Sequence, residues 1–131
     1  ATAEHWMMAE KARLFGDRSA EHAAIDAAHP AEAKAAGRLV RGFDDATWVR
    51  RRFAIVVEGN VHKFGQHDEL RAYLLSTGER VLVEASPRDR IWGIGLGAAN
   101  ERATDATQWR GENLLGFALM EARAQLRGDS A

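Results

Sequence analysis

Apolar residues near the start of the chain recur at helical rather than alternating intervals, and EHWMMAEKARLF predicts a helix over residues 4–15 that stops at Gly16. With about 3.6 residues per turn, Glu4, Met8, Lys11 and Phe15 fall on one stripe. A carboxylate and an amine therefore share a face with side chains that belong indoors. SAEHAAIDAAHPAEAKAAGR divides into two short helices. A capping pattern at Ser19 to His22 opens the first; Pro30 opens the second and Gly37-Arg38 closes it. Asp44, Asp45 and Thr47 offer N-caps to WVRRRFAIVVEGNVHKF, where Trp48, Ile55 and Phe64 recur near the helical period. Its FAIVV run is equally compatible with a buried strand.

Gly65 breaks that segment, and HDELRAYLLSTG restarts as a helix with acidic residues in its first turn. RVLVEAS then alternates and is β-branched, which predicts a strand over 80–86. The RIWGIGLG stretch after it either pairs with that strand or loops beside it. AANERATDATQWRGEN is polar and irregular, and residues 113–127 form a last helix with Leu115, Leu119, Ala122 and Leu126 on one stripe. The pattern predicts one α+β domain over residues 1–131, predominantly helical with a small β-sheet.

Composition narrows the classes. With 131 residues the chain can bury one core. Its 18 basic and 19 acidic side chains nearly cancel, so anions must be attracted locally. The absence of cysteine excludes disulfides and thiolate chemistry and fits a reducing compartment. With no long apolar run, the expected location is cytoplasmic, with no membrane partner.

The glycines at 93, 95 and 97 match neither a dinucleotide fingerprint nor a phosphate loop, and fit a turn or a close backbone approach instead. Asp89 and Trp92 follow the predicted strand, where a tryptophan can stack on a heterocycle and a carboxylate can move a proton. They fit equally a core tryptophan and a turn-capping aspartate. Glu4 and Lys11 are either surface charges or, on their shared inward stripe, pocket groups that shift each other's proton affinity. The histidines at 5, 22, 29, 62 and 67 lack metal-ligand spacing, no serine sits in a nucleophile elbow, and Arg50, Arg51 and Arg52 spread over different helix faces. No metal and no cofactor are expected.

In their order, EHWMMAEKARLFGD, AAGR, KFGQHDELRAYLLSTGERVLVEASPRDRIWGIGLG and WRGENLLGFALMEAR resemble the YbiA-like family, also called NADAR for NAD and ADP-ribose association. The resemblance covers nearly the whole chain; D-x-x-W-G-I-G followed by W-x-G-x-N-x-L-G-x-x-L-M is its most specific part. It implies an N-glycosidase that hydrolyses phosphoribosylamino-pyrimidine intermediates of riboflavin biosynthesis, releasing ribose 5-phosphate. It also implies two rivals: removal of ADP-ribose from guanine bases, which extends the partners to ADP-ribosylated nucleic acid, or non-catalytic binding of ADP-ribose or a similar nucleotide. By position, E-H-x-x-x-x-x-K makes Glu4 the active carboxylate and Lys11 the amine, D-x-x-W-G adds Asp89 and Trp92 to the same pocket, and G-R makes Arg38 the cation for a substrate phosphate. The usual EHYF is EHWM here, so Trp6 is expected to meet the base.

Similar members carry an N-terminal segment with an S-N-F-like stretch and short strands before the E-H element. Three residues precede Glu4 here. That segment is expected to be lacking from this chain, either because the native protein is longer or because this member is shortened. The oligomeric state is left open.

Overall fold

The computed structural model describes residues 2–128. Six α-helices follow in order: α1 (Ala3–Leu14), α2 (Arg18–Asp26), α3 (Pro30–Arg38), α4 (Asp45–Gly65), α5 (Asp68–Ser76) and α6 (Leu114–Arg127), with short 3-10 turns at Glu101–Thr104 and Ala106–Gln108. The chain divides into two compact units, Ala1–Gly59 and Asn60–Ala131, with the boundary inside α4. FAIVV, ambiguous by pattern, is helical.

In the first unit α1, α2 and α3 pack against one another. Small residues allow this: Ala12, Ala24 and Ala33 are wholly buried, and the sulfur of Met8 lies where a side chain on Gly37 would stand. The core joins Met8, Ala9, Ala24 and Ala33 to Trp48 and Ile55 of α4. α2 is capped by Asp17 rather than by the Ser19 pattern. The carboxylate accepts from the main-chain N–H of Ala20 at 3.1 Å and of Arg41 at 2.8 Å, tying the start of α2 to the chain beyond α3.

The second unit departs from expectation. Among the described residues there is no strand, so the fold is all-helical and not α+β with a small sheet. Residues 80–86 still alternate, with Val81, Val83 and Ala85 exposed and Leu82, Glu84 and Ser86 half-buried, but no neighbouring strand pairs with them. A side chain takes that place. The amide of Asn113 accepts from the Glu84 N–H at 2.9 Å and donates to the Leu82 carbonyl at 2.9 Å, offering the donor and acceptor a strand would supply. The following stretch loops beside it, with one main-chain bond from Ile94 N–H to the Glu84 carbonyl at 3.0 Å.

α6 differs from its predicted stripe as well. Its buried positions are Gly116, Ala118, Ala122 and Arg123, while Leu115, Leu119 and Leu126 are half-buried. The Arg123 guanidinium donates to the Thr77 hydroxyl at 2.8 Å and the Arg80 carbonyl at 2.9 Å, anchoring the turn after α5.

Candidate active site

α1 begins with a reciprocal cap that fixes its first turn, where Glu4 stands. Thr2 accepts from the His5 main-chain N–H, while the His5 ring accepts from the Thr2 N–H at 3.2 Å. The other ring nitrogen, Nε2, lies 2.8 Å from the Ala27 carbonyl. A carbonyl only accepts, so Nε2 carries the hydrogen and Nδ1 faces Thr2 as acceptor. His5, whose spacing from the other histidines fits no metal site, thus fastens α1 to the end of α2. Its place beside Glu4 was the available signal.

Two turns on, the Lys11 ammonium lies 4.6 Å from the Phe43 ring centre and 5.5 Å from that of Trp48. Burial pushes its proton affinity below the ordinary lysine value, opposed by the negative charges of Asp45 and, more weakly, Glu4. Met8 on the same stripe is buried, and Glu4, Lys11 and Phe15 are half-buried. Glu4 and Lys11 therefore interact in a partly desolvated environment.

Trp6 packs along Gly59, and its indole N–H donates to the Ile55 carbonyl at 3.1 Å. Arg38 is exposed at the last residue of α3. A depression of about 180 Å³ lined by Asp17, Ala20, Leu39 and Arg41 is smaller than a typical ligand pocket. Its carboxylate is already engaged as the α2 cap.

In the second unit Asp89 organises its own loop. One carboxylate oxygen accepts from the N–H of Ile91 at 3.0 Å and of Trp92 at 2.8 Å, while the Asp89 carbonyl accepts from Gly95 at 3.1 Å. Asp89 and half-buried Trp92 are thereby held together. The glycines permit close approach: a Cβ on Gly93 would lie 2.9 Å from the Asp89 and Glu84 carbonyls, and one on Gly111 would meet the Gly93 carbonyl. Gly95 turns the chain at φ +71°.

The two most specific sequence motifs are hydrogen-bonded to each other. Arg110, Asn113 and Leu115 donate from their main chain to the carbonyls of Ile94, Gly93 and Trp92 at 2.8, 3.0 and 3.1 Å. Asn113 is wholly buried in the left-handed conformation at φ 53°.

The model of the NADAR domain matches residues 1–127. An N-glycosidase of Acanthamoeba polyphaga mimivirus is 44% identical over 124 residues, covering 95% of this chain and 73% of that protein. Protein irg-1 of Caenorhabditis elegans is 34% identical over 125 residues, covering 94% of this chain and 59% of that protein. N-glycosidase YbiA of Escherichia coli (strain K12) is 33% identical over 130 residues, covering 95% of this chain and 69% of that protein. The chain belongs to the NADAR family.

Proposed function

We propose that the protein is an N-glycosidase that cleaves the bond between ribose C1′ and the amino nitrogen of a phosphoribosylamino-pyrimidine, an intermediate of riboflavin biosynthesis. Water replaces the nitrogen at C1′, and ribose 5-phosphate and the free aminopyrimidine leave. Relatives named N-glycosidases support the bond type. The partly buried Lys11 amine, 4.6 Å from the Phe43 ring centre and 5.5 Å from that of Trp48, supports the residue assignment and carries the mechanistic reading.

Lys11 acts as nucleophile rather than as an anion holder. The faces of Phe43 and Trp48 and the charges of Asp45 and Glu4 surround it with negative potential, which repels a phosphate. Nζ attacks C1′ and the C1′–N bond to the aminopyrimidine breaks, the leaving nitrogen taking one proton; the C1′–O4′ bond then opens, O4′ takes the second Nζ proton, and the opened sugar remains as an imine on Lys11. Water then adds to the imine carbon and the amine is expelled, restoring Lys11 and releasing ribose 5-phosphate. Glu4 stabilises positive charge developing at C1′ and accepts the proton of the attacking water; Asp89 protonates the leaving nitrogen or orients the ribose. Trp92 and Trp6 contact the base, and Arg38 holds the phosphate.

Removing an essential acid or base costs roughly a hundredfold or more in rate. Folded Glu4→Gln and Asp89→Asn proteins are therefore expected to release ribose 5-phosphate at no more than about one hundredth of the parental rate. Parental rates in both would refute the assignment. ADP-ribosylated guanine belongs in the same assay; exclusive turnover of it would replace the pyrimidine substrate.

A further inference from the structure

We infer that Phe43 is a positioning residue: its half-exposed ring closes over Lys11 and, together with the fixed ring of Trp48, holds Nζ in place and shields it from water. The importance of this for turnover rests on Lys11 being the reactive amine; the geometry does not. Trp48 is 9% exposed and belongs to the core, whereas Phe43 is 40% exposed and lies in the connection between α3 and α4. It follows Gly42, whose φ of +75° is a left-handed turn that a side chain would strain. The ring is steered from behind by Phe15, edge to face at 5.3 Å between centres. Phe15 is the residue that caps the C-terminal end of α1, four positions after Lys11, so one helix and its cap set both the amine and the side chain that seats its cover.

The ring has two opposing effects. Its face attracts the ammonium, and its bulk excludes the water that would solvate it. Burial is the largest influence on Lys11 and favours the free amine, and the Phe43 ring 4.6 Å from Nζ contributes to that burial. The carboxylates that oppose this come from its own helix and from α4: Glu4 on α1 and Asp45 on α4. The remaining charges of the connection are engaged elsewhere, Arg41 with Asp17 at 3.5 Å and Asp44 with Thr47. Removing the ring while keeping these charges should shift Lys11 back towards the behaviour of an ordinary surface lysine. Leucine retains an apolar cover without the ring's electrostatics, so it should preserve the effect.

The test is the pH profile of Lys11 acylation by acetic anhydride, read by peptide mass spectrometry on the whole chain without substrate. Exposed Lys34 in the same sample is the internal reference. In the parent, Lys11 is expected to become reactive at lower pH than Lys34. In Phe43→Ala the Lys11 profile moves up towards that of Lys34, with a several-fold lower relative rate at neutral pH, and in Phe43→Leu it stays near the parent. An unchanged profile in Phe43→Ala overturns the inference, as does a Phe43→Leu profile that moves as far as that of Phe43→Ala. If the shift occurs in a protein that turns over no N-riboside, the positioning role stands and the proposed function fails.

Discussion

Lys11 is where burial and charge compete most directly. Phe43 and Trp48 flank its amine, and burial outweighs the help that Asp45 and Glu4 give to the ammonium. That balance separates the two roles a lysine can play towards a phosphosugar. Arginine keeps the positive charge but cannot form an imine. Lys11→Arg is therefore expected to lose activity by roughly a hundredfold or more while remaining folded, measured as ribose 5-phosphate release. Substantial retained activity would make Lys11 an anion holder. Glu4 and Lys11 were legible in sequence because helical spacing alone places them on one stripe with Met8. Phe43 was not, since it approaches Lys11 only through the turn at Gly42.

Among the elements, helices were the most readable because each carries its own hydrogen bonds and signals its ends locally. Pro30 opens α3 and Gly16 turns left-handed after α1, as their residue types require. The strand predicted at 80–86 failed for the converse reason: alternation is local, but a strand needs a partner that local sequence does not specify. Here the partner is the Asn113 amide. Asn113→Asp puts a second acceptor against the Leu82 carbonyl, and the loss of a buried, satisfied donor costs about 1–3 kcal/mol. Urea denaturation should show a lower midpoint of that order. An unchanged midpoint would mean that the bridge does not stabilise this segment.

The Asp17 cap adds a pH dependence at the element scale. Hydrogen bonds from the Arg41 and Ala20 main chain lower its proton affinity from the usual 3.8 to about 2. Because the folded value is the lower one, its contribution is complete above the unfolded value and disappears as pH falls through the folded one. The thermal midpoint of the parent should exceed that of Asp17→Asn at neutral pH, and the difference should close between about pH 4 and pH 2. A difference constant across that window would assign the effect to shape rather than to charge.

For the molecule as a whole, a net charge of −1 supplies no global attraction for an anionic substrate, so recognition must come from individual groups. No helix among the described residues is long and apolar enough to cross a membrane. The RDRIWGIGLG stretch illustrates how far sequence reaches: the reading of its glycines as turn or close-approach positions holds at Gly93, where a Cβ would meet main-chain carbonyls, and at Gly95, which turns the chain at φ +71°, but not at Gly97, which has open space around it. Its pairing with residues 110–115 was not legible, because those bonds join distant positions without a repeating register. The chemistry proposed for the protein turns on whether Lys11 becomes covalently attached to the sugar. The most direct measurement is borohydride reduction during turnover of the phosphoribosylamino-pyrimidine, followed by peptide mass spectrometry. The mechanism predicts a reduced ribose 5-phosphate adduct on Lys11 and none on Lys34 or Lys63; turnover with no adduct on Lys11 would contradict it.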